Sequence, residues 1–253
     1  MKTWRFIETG SLAGYMNMAI DEALLDCHIS DNTPPTLRFY KWERPTLSIG
    51  RNQTIDEINI EECHKLKIDL ARRPTGGKAV LHENEFTYSF ISGKKDGMPE
   101  RIFDSYIEIS KALINGLKTL KSDLYFNVGE DSPTEYQKNS FCFASSTVSD
   151  LNYNGKKFVG SSQLRRADAL LQHGSILINL DFKKLAKILK NSDESYDYIN
   201  LVDIIGFIPD YKNIKNCVLE GFKNYFNIQF KNDVLSSREQ DLAITYYNKY
   251  KIS

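Results

Sequence analysis

An α/β (α+β) fold, a mixed and partly antiparallel β-sheet flanked by helices, is what three features of this sequence predict. Short runs of alternating apolar residues are bounded by Pro, Gly and Asn, runs at helical spacing are interleaved with them, and Asn154-Gly155 marks an antiparallel hairpin. Neither G-x-x-x-x-G-K-[ST] nor G-x-G-x-x-G occurs, so nothing supports a P-loop or a dinucleotide-binding fold.

Met16 to Cys27 carries Met16, Ile20, Ala23, Leu24 and Cys27 at helical spacing, with Asp21, Glu22 and Asp26 off that stripe, and predicts an amphipathic helix. Thr36 to Lys41 and Thr46 to Arg51 alternate Leu37, Phe39 and Leu47, Ile49 about a Glu43-Arg44-Pro45 turn, which predicts two strands. Asn59 to Lys67 predicts a short helix. Ile68 to Arg73 and Lys78 to Phe90 follow as strands joined through Pro74-Thr75-Gly76-Gly77. Phe103, Tyr106, Ile107, Ile114, Leu117 and Leu120 mark a long helix, Leu151 to Gly160 a hairpin, and Ser175 to Asn179 a strand. The remainder reads as helical: Phe182 to Lys190, Ile214 to Phe226, and a last helix in which Ser236 and Glu239 have capping-box spacing. No repeat or Gly/Ser linker divides the chain, so one domain over residues 1–253 with a helical tail from about 213 to 253 is expected.

Composition narrows the function classes. The 253 residues are 41% hydrophobic and 26% charged, which excludes disordered, collagenous and disulfide-scaffold chains. Thirty-three basic residues cancel thirty-three acidic ones, removing the general attraction that a nucleic-acid binder or a polybasic membrane protein uses. Met1 to Arg5 leads into Asp21 and Glu22 without an apolar run of signal-peptide length, and no later stretch has the length of a membrane span, so a cytoplasmic protein is expected. Cys27, Cys63, Cys142 and Cys217 lie far apart with no C-x-x-C pair, as free thiols do in a reducing compartment. His28 and His64 lack the short ligand spacings of a zinc site, so no metal is expected.

Three basic doublets, Arg72-Arg73, Lys156-Lys157 and Arg165-Arg166, stand near Gly-bearing turns and suggest an anion site. Gly76-Gly77 permits positive φ and close approach of backbone N–H groups to a ligand, and Gly160-Ser161-Ser162 can do the same on a facing strand. In Ser140-Phe141-Cys142-Phe143-Ala144 a strand would send both rings to one face and the thiol, flanked by small residues, to the other. Cys142 is then either a buried structural thiol or a nucleophile whose thiolate a nearby cation, for which Lys157 is placed, stabilises. Cys27, Cys63 and Cys217 fall among apolar residues at helical spacing and read as core. His82 and His173 lie beside the Gly-bearing motifs, where each either orients a substrate or holds a loop.

Arg72-Arg73-Pro74-Thr75-Gly76-Gly77-Lys78-Ala79-Val80-Leu81-His82 resembles the R-R-x-[ST]-G-G-x-x-V-x-H motif of the biotin/lipoate protein ligase (BPL/LPL) family. Phe141-Cys142-Phe143, the run Asn154 to Gln163, and Leu171-Gln172-His173-Gly174-Ser175-Ile176-Leu177 resemble its cysteine-dependent octanoyltransferase branch, the LipM type. Trp4 to Ile7, Asn17 to Ala23 and Arg38 to Trp42 extend the resemblance over nearly the whole chain. It implies a mixed sheet flanked by helices, with Cys142 carrying the acyl group and Lys157 lowering its pKa. It also implies substrate binding by Arg72, Arg73, Thr75, Gly76, Gly77, His82, Gly160, Ser161, Gln163, His173 and Gly174. Departures from the branch are the Ala144 to Asp150 segment without proline or aromatic residues, Ser162 in place of alanine, and a short C-terminal tail; they bear on acyl-chain length and carrier preference.

The resemblance further implies an octanoyl-acyl carrier protein donor, an apo lipoyl domain such as the glycine cleavage H protein as acceptor, and no cofactor. Three alternatives follow: an ATP- and Mg-dependent lipoate ligase, an octanoyl-[H protein] amidotransferase, and a non-catalytic module using the basic doublets. Zero net charge and the lack of an aromatic-plus-basic strand motif argue against nucleic acid as partner.

Overall fold

Both β-hairpins and parallel crossovers build the sheet that the interleaved pattern predicts. The computed structural model describes residues 1–120, 127–128, 151–190 and 198–252. Strands β1 (Lys2–Leu12), β2 (Thr36–Trp42), β3 (Thr46–Ile49), β4 (Asp69–Arg72), β5 (Val80–His82), β6 (Glu85–Gly93), β7 (Asn127–Val128), β8 (Leu151–Tyr153), β9 (Lys156–Arg166), β10 (Ala169–Leu177) and β11 (Ile228–Asp233) form two sheets. The larger has the order β11-β1-β2-β6-β10-β9-β8-β7, parallel across β11, β1 and β2 and antiparallel thereafter; the smaller is β4-β3-β5.

The helices are α1 (Gly14–Ser30), α2 (Ile60–Lys65), α3 (Ile102–Leu117), α4 (Phe182–Ile188), α5 (Leu201–Ile205), α6 (Tyr211–Phe226) and α7 (Ser237–Tyr250). Helices α3 and α6 bury one face of the large sheet around Phe39, Phe90, Leu113 and Phe222, whereas α1 and α7 cover the other around Ile20, Leu24, Leu171 and Ala243. The small sheet packs with α2 and α4 in a third cluster around Leu47, Cys63, Leu81 and Leu185.

Several expected elements stand where the pattern puts them: the α3 helix, the α2 helix capped by the Asn59 side chain, and the α7 capping box of Ser236 with Glu239. Asn154 and Gly155 both have positive φ, as a two-residue hairpin with the sheet's own twist requires.

Other expectations need correction. The acids of α1 do not form a solvent face: Asp21, 0% exposed, turns into the large sheet against Arg38, Ser89 and His173, and Glu22, 2% exposed, is covered by Lys249 and Tyr250 of α7. The run from Lys78 to Phe90 is two strands in different sheets, broken at Glu83-Asn84, where Asn84 takes φ +50°. Strand β10 begins at Ala169 rather than Ser175, since all nine of its residues are buried and a strand covered on both faces does not alternate. Its hairpin with β9 turns on Ala167 at φ +50°, for which the sequence carries no Asn-Gly signal. The stretch from 213 is not a helical tail: α6 ends at Asn227 in the left-handed region, and Ile228–Asp233 becomes the edge strand parallel to β1.

Helices α3 and α6 approach at Gly116 and Gly221, where a Cβ on Gly221 would lie 2.5 Å from both the Ala112 carbonyl oxygen and the Gly116 nitrogen. Those atoms are backbone and cannot swing aside, so Gly221→Ala is expected to cost about 1–3 kcal/mol by overpacking. For a chain of this size that lowers Tm by roughly 2–10 °C, readable by thermal unfolding.

Candidate active site

The small sheet leans on the middle of the large one, and the gap between them is a pocket of about 380 Å³ of atom-free space including its mouth. Met18 of α1, Tyr40 and Trp42 of β2 and Val80 of β5 supply apolar walls; Gly160, Ser161 and Ser162 of β9 and His173, Gly174 and Ser175 of β10 supply the strand wall. The surface is overwhelmingly apolar because most polar tips are turned into hydrogen bonds.

Six residues singled out in the sequence meet here: Arg73, His82, Gly160, Ser161, His173 and Gly174. Thr75 and Gly76 stand one bond behind them, Thr75 Oγ1 lying 2.7 Å from His173 Nε2 and the Gly76 carbonyl accepting from Ser162 Oγ at 3.0 Å. Arg72, Gly77 and Gln163 do not line the pocket. Gln163 Nε2 donates to Gln172 Oε1 at 3.0 Å, bracing β9 against β10.

The basic doublets do not converge into one anion site, because most of their charge is already committed. Arg72 Nη1 donates to the carbonyls of Gly50 and Gln53, each at 2.9 Å, and Arg73 to those of Ser48, Gly76 and Lys78. Arg165 holds the Pro99 carbonyl and Ser105, and Arg166 pairs with Glu22 and Asp26. Arg72 thus holds the Gly50 to Gln53 loop, and Arg73 is the core around which the Pro74 to Gly77 turn is wound. Gly77 has φ +85°, and its carbonyl comes so close to Gly50 that a Cβ there would overlap it. At Gly174 a Cβ would lie 2.7 Å from the Tyr88 ring, which crosses β10 to meet Ser161 Oγ at 2.8 Å.

Beneath the pocket lies a charged cluster that composition and spacing did not reveal. Asp21 accepts from Arg38 Nη1 at 2.7 Å and Ser89 Oγ at 2.7 Å, and its other oxygen lies 2.9 Å from His173 Nδ1. Burial alone would raise the Asp21 carboxyl, but the Arg38 guanidinium, His173 and Ser89 outweigh it and hold the group below the usual carboxylate range. Burial pushes His173 down despite Asp21, so its imidazole is neutral at neutral pH and its Nδ1 proton faces the carboxylate. Nε2 then accepts from the Thr75 hydroxyl.

A second histidine chain runs alongside. The turn at Asn84 folds Glu85 back under His82, so that His82 Nδ1 lies 3.0 Å from both Glu85 oxygens, while Nε2 lies 2.8 Å from Ser48 Oγ. Trp42 stacks on the His82 ring at 3.9 Å and donates its indole N–H to Glu85 at 2.9 Å. Ser48 and Glu85 were missed in the sequence. The one local signal was the i, i+3 spacing of His82 and Glu85, which means nothing until the chain is known to turn between them.

Lys157 is 2% exposed on β9. Opposite β8 the register slips, Leu151 facing Val159 and Asn152 facing Lys157, so Phe158 is a bulge residue and both Phe158 and Val159 enter the core. Across that bulge the pleat puts Lys157 on the face of Gly160 and Ser162. Cys142, its expected partner, lies outside the described residues. Cys27 and Cys63 are buried thiols pushed up to about 11 by desolvation, inert as expected, whereas Cys217 is half-buried rather than core. Among the described residues no group of His, Cys, Asp and Glu could hold a metal ion, and no helix is long and apolar enough to cross a membrane.

Residues 13–223 match the model of the lipoyl protein ligase A/B catalytic domain. The chain is 40% identical over 255 residues to Octanoyltransferase LipM of Carboxydothermus hydrogenoformans, covering 96% of this chain and 94% of that protein. To Octanoyltransferase LipM of Bacillus subtilis it is 36% identical over 258 residues, covering 96% and 93%. Among solved structures, lipoate-protein ligase A bound with ATP superposes with a TM-score of 0.83 at 24% identity, over 98% of this chain and 95% of that one. Protein Ta0514 of T. acidophilum with bound lipoic acid gives 0.81 at 25% identity, over 98% and 96%. With a family match across most of its length and full-length relatives of this identity, the chain belongs to the lipoyl protein ligase A/B catalytic-domain family and is an acyltransferase enzyme.

Proposed function

We propose that the protein moves an octanoyl group from acyl carrier protein, through a thioester on Cys142, to a lysine of an apo lipoyl domain such as the glycine cleavage H protein. The observation that carries this reading is Lys157, buried at 2% exposure on β9, the strand whose Gly160, Ser161 and Ser162 line a small apolar pocket. Such a pocket suits a fatty chain, and a lysine ammonium is a cation that stabilises a thiolate. The near full-length likeness to named octanoyltransferases supports the same chemistry.

Exchange of the donor thioester for the Cys142 thioester is close to balanced, since one thioester replaces another. Attack of the acceptor amine then converts thioester to amide, which is downhill and needs no ATP. Lys157 as an ammonium favours the Cys142 thiolate, and after losing a proton it serves as base for the incoming amine. Backbone N–H groups near Gly76, Gly77 or Gly160 are the candidates for the oxyanion site, where one donor is worth about 3 kcal/mol of barrier.

Incubation of the protein with octanoyl-acyl carrier protein, with and without ATP, followed by intact mass, is the direct test. One octanoyl group, labile to neutral hydroxylamine and formed without ATP, is expected. A requirement for ATP with free octanoate or lipoate would instead make the protein a ligase, and a preference for octanoylated H protein as donor an amidotransferase. Lys157→Ala is expected to raise the pH at which Cys142 alkylates; an unchanged rate profile removes the lysine from this role.

A further inference from the structure

Two hydroxyl–imidazole–carboxylate chains converge on the pocket, and they differ in where the hydroxyl ends. Both hydroxyl residues are buried, Thr75 at 0% and Ser48 at 1% exposure, but Ser48 lines the pocket and Thr75 does not. We propose that Ser48, His82 and Glu85 form a nucleophile–base–carboxylate triad that gives the pocket a second activity, hydrolysis of octanoyl esters and thioesters to free octanoate. The proposal rests on the reading of the pocket as an octanoyl slot, and its residues all differ from those assigned to transfer between carrier proteins except His82, there a binding residue.

The geometry is that of an activated serine. Ser48 Oγ lies 2.8 Å from His82 Nε2, within the hydrogen-bond reach that a serine and its base require. Glu85 faces Nδ1 with both oxygens at 3.0 Å, which in the neutral imidazole places the proton on Nδ1 and leaves Nε2 as acceptor. The ring cannot turn away, because Trp42 is stacked on it at 14° and is itself bound to Glu85. Arg73 Nη1 stands 3.3 Å from Ser48 Oγ, a cation beside the atom where negative charge would gather as the proton leaves.

The steps balance without a further reagent. Ser48 Oγ attacks the acyl carbon while its proton passes to His82 Nε2. Collapse breaks the bond to the alcohol or thiol, which departs taking that proton, or departs as an anion where it is a weak base, Nε2 then releasing the proton to solvent. Water then attacks the acyl-serine, giving one proton to Nε2, and the Ser48 oxygen recovers it as octanoic acid leaves and ionises to octanoate in solvent.

The test uses p-nitrophenyl octanoate with full-length Cys142→Ala, in which the thioester route is absent. Release of nitrophenol well above the buffer rate is expected, falling at least tenfold in the double variant Cys142→Ala/Ser48→Ala. Peptide mapping after acid quench is expected to place an octanoyl group resistant to neutral hydroxylamine on the peptide containing Ser48, a result that needs no change at Ser48. Release from Cys142→Ala no faster than buffer, equal release from the double variant with an unchanged thermal transition, or an ester elsewhere each overturns the triad. Transfer from octanoyl-acyl carrier protein by the wild type alongside an inert Cys142→Ala overturns only the hydrolysis; Ser48-dependent release without transfer to any lipoyl domain overturns only the transfer reading.

Discussion

Cys142→Ala is expected to leave a folded protein that forms no hydroxylamine-labile octanoyl adduct and transfers octanoyl at a rate lower by on the order of 10⁴-fold or more, as removal of a nucleophile does elsewhere. The sulfur is the atom that holds the acyl group between two protein partners, and alanine offers nothing in its place. Two of the other thiols are poorly suited to substitute. Cys27 and Cys63 are buried and pushed up to about 11, so at pH 8 only about one molecule in a thousand carries either as thiolate. Intact mass after incubation with octanoyl-acyl carrier protein reads the outcome, with the circular dichroism spectrum as the check on folding. A labile adduct of wild-type yield in the variant would reassign the nucleophile.

Asp21→Asn is expected to destabilise the whole fold by about 3–5 kcal/mol, because it strands the buried Arg38 guanidinium without its counter-ion. In a chain of this length that is roughly 6–20 °C in Tm. The same cluster sets a pH dependence whose sign is fixed. The Asp21 carboxyl sits lower in the folded protein than in the unfolded chain, so its contribution is fully present above the unfolded value of about 3.9 and is lost as pH falls through the folded value. Denaturant unfolding between pH 3 and 6 measures it: stability is expected to fall on the acid side in the wild type and to fall less in the variant. Equal slopes in the two proteins would mean that other carboxylates carry the acid transition. Because Asp21 also fixes the His173 tautomer that receives the Thr75 hydroxyl, the variant should disturb the pocket even where it remains folded.

Elements with a local cause were legible without the structure. The α7 capping box, the Asn154-Gly155 hairpin and the apolar face of α3 each rest on residues within a few positions of one another. What failed had a distant cause. Asp21 and Glu22 read as a solvent face until Arg38, Ser89 and His173 of the sheet are seen to enclose the first, and Lys249 and Tyr250 of α7, more than two hundred residues along the chain, to cover the second. Strand β10 could not be delimited because its burial on both faces removes the alternation by which strands are found. The arginine doublets looked like free charge until their guanidinium groups were seen filled by backbone carbonyls of neighbouring turns.

The mixed fold and the Pro74 to Gly77 turn were legible from residues near one another in the chain, and the pairing of Cys142 with Lys157 was raised there as an expectation. Only the tertiary structure decided that Ser48 meets His82, that Glu85 folds back to orient it, and that His173 stands between Asp21 and Thr75. Periodicity and motif spacing report what a residue does with its near neighbours along the chain. A hydrogen-bonded relay is instead fixed by strand register and by the packing of one sheet on another, and those depend on contacts between residues as much as 152 positions apart.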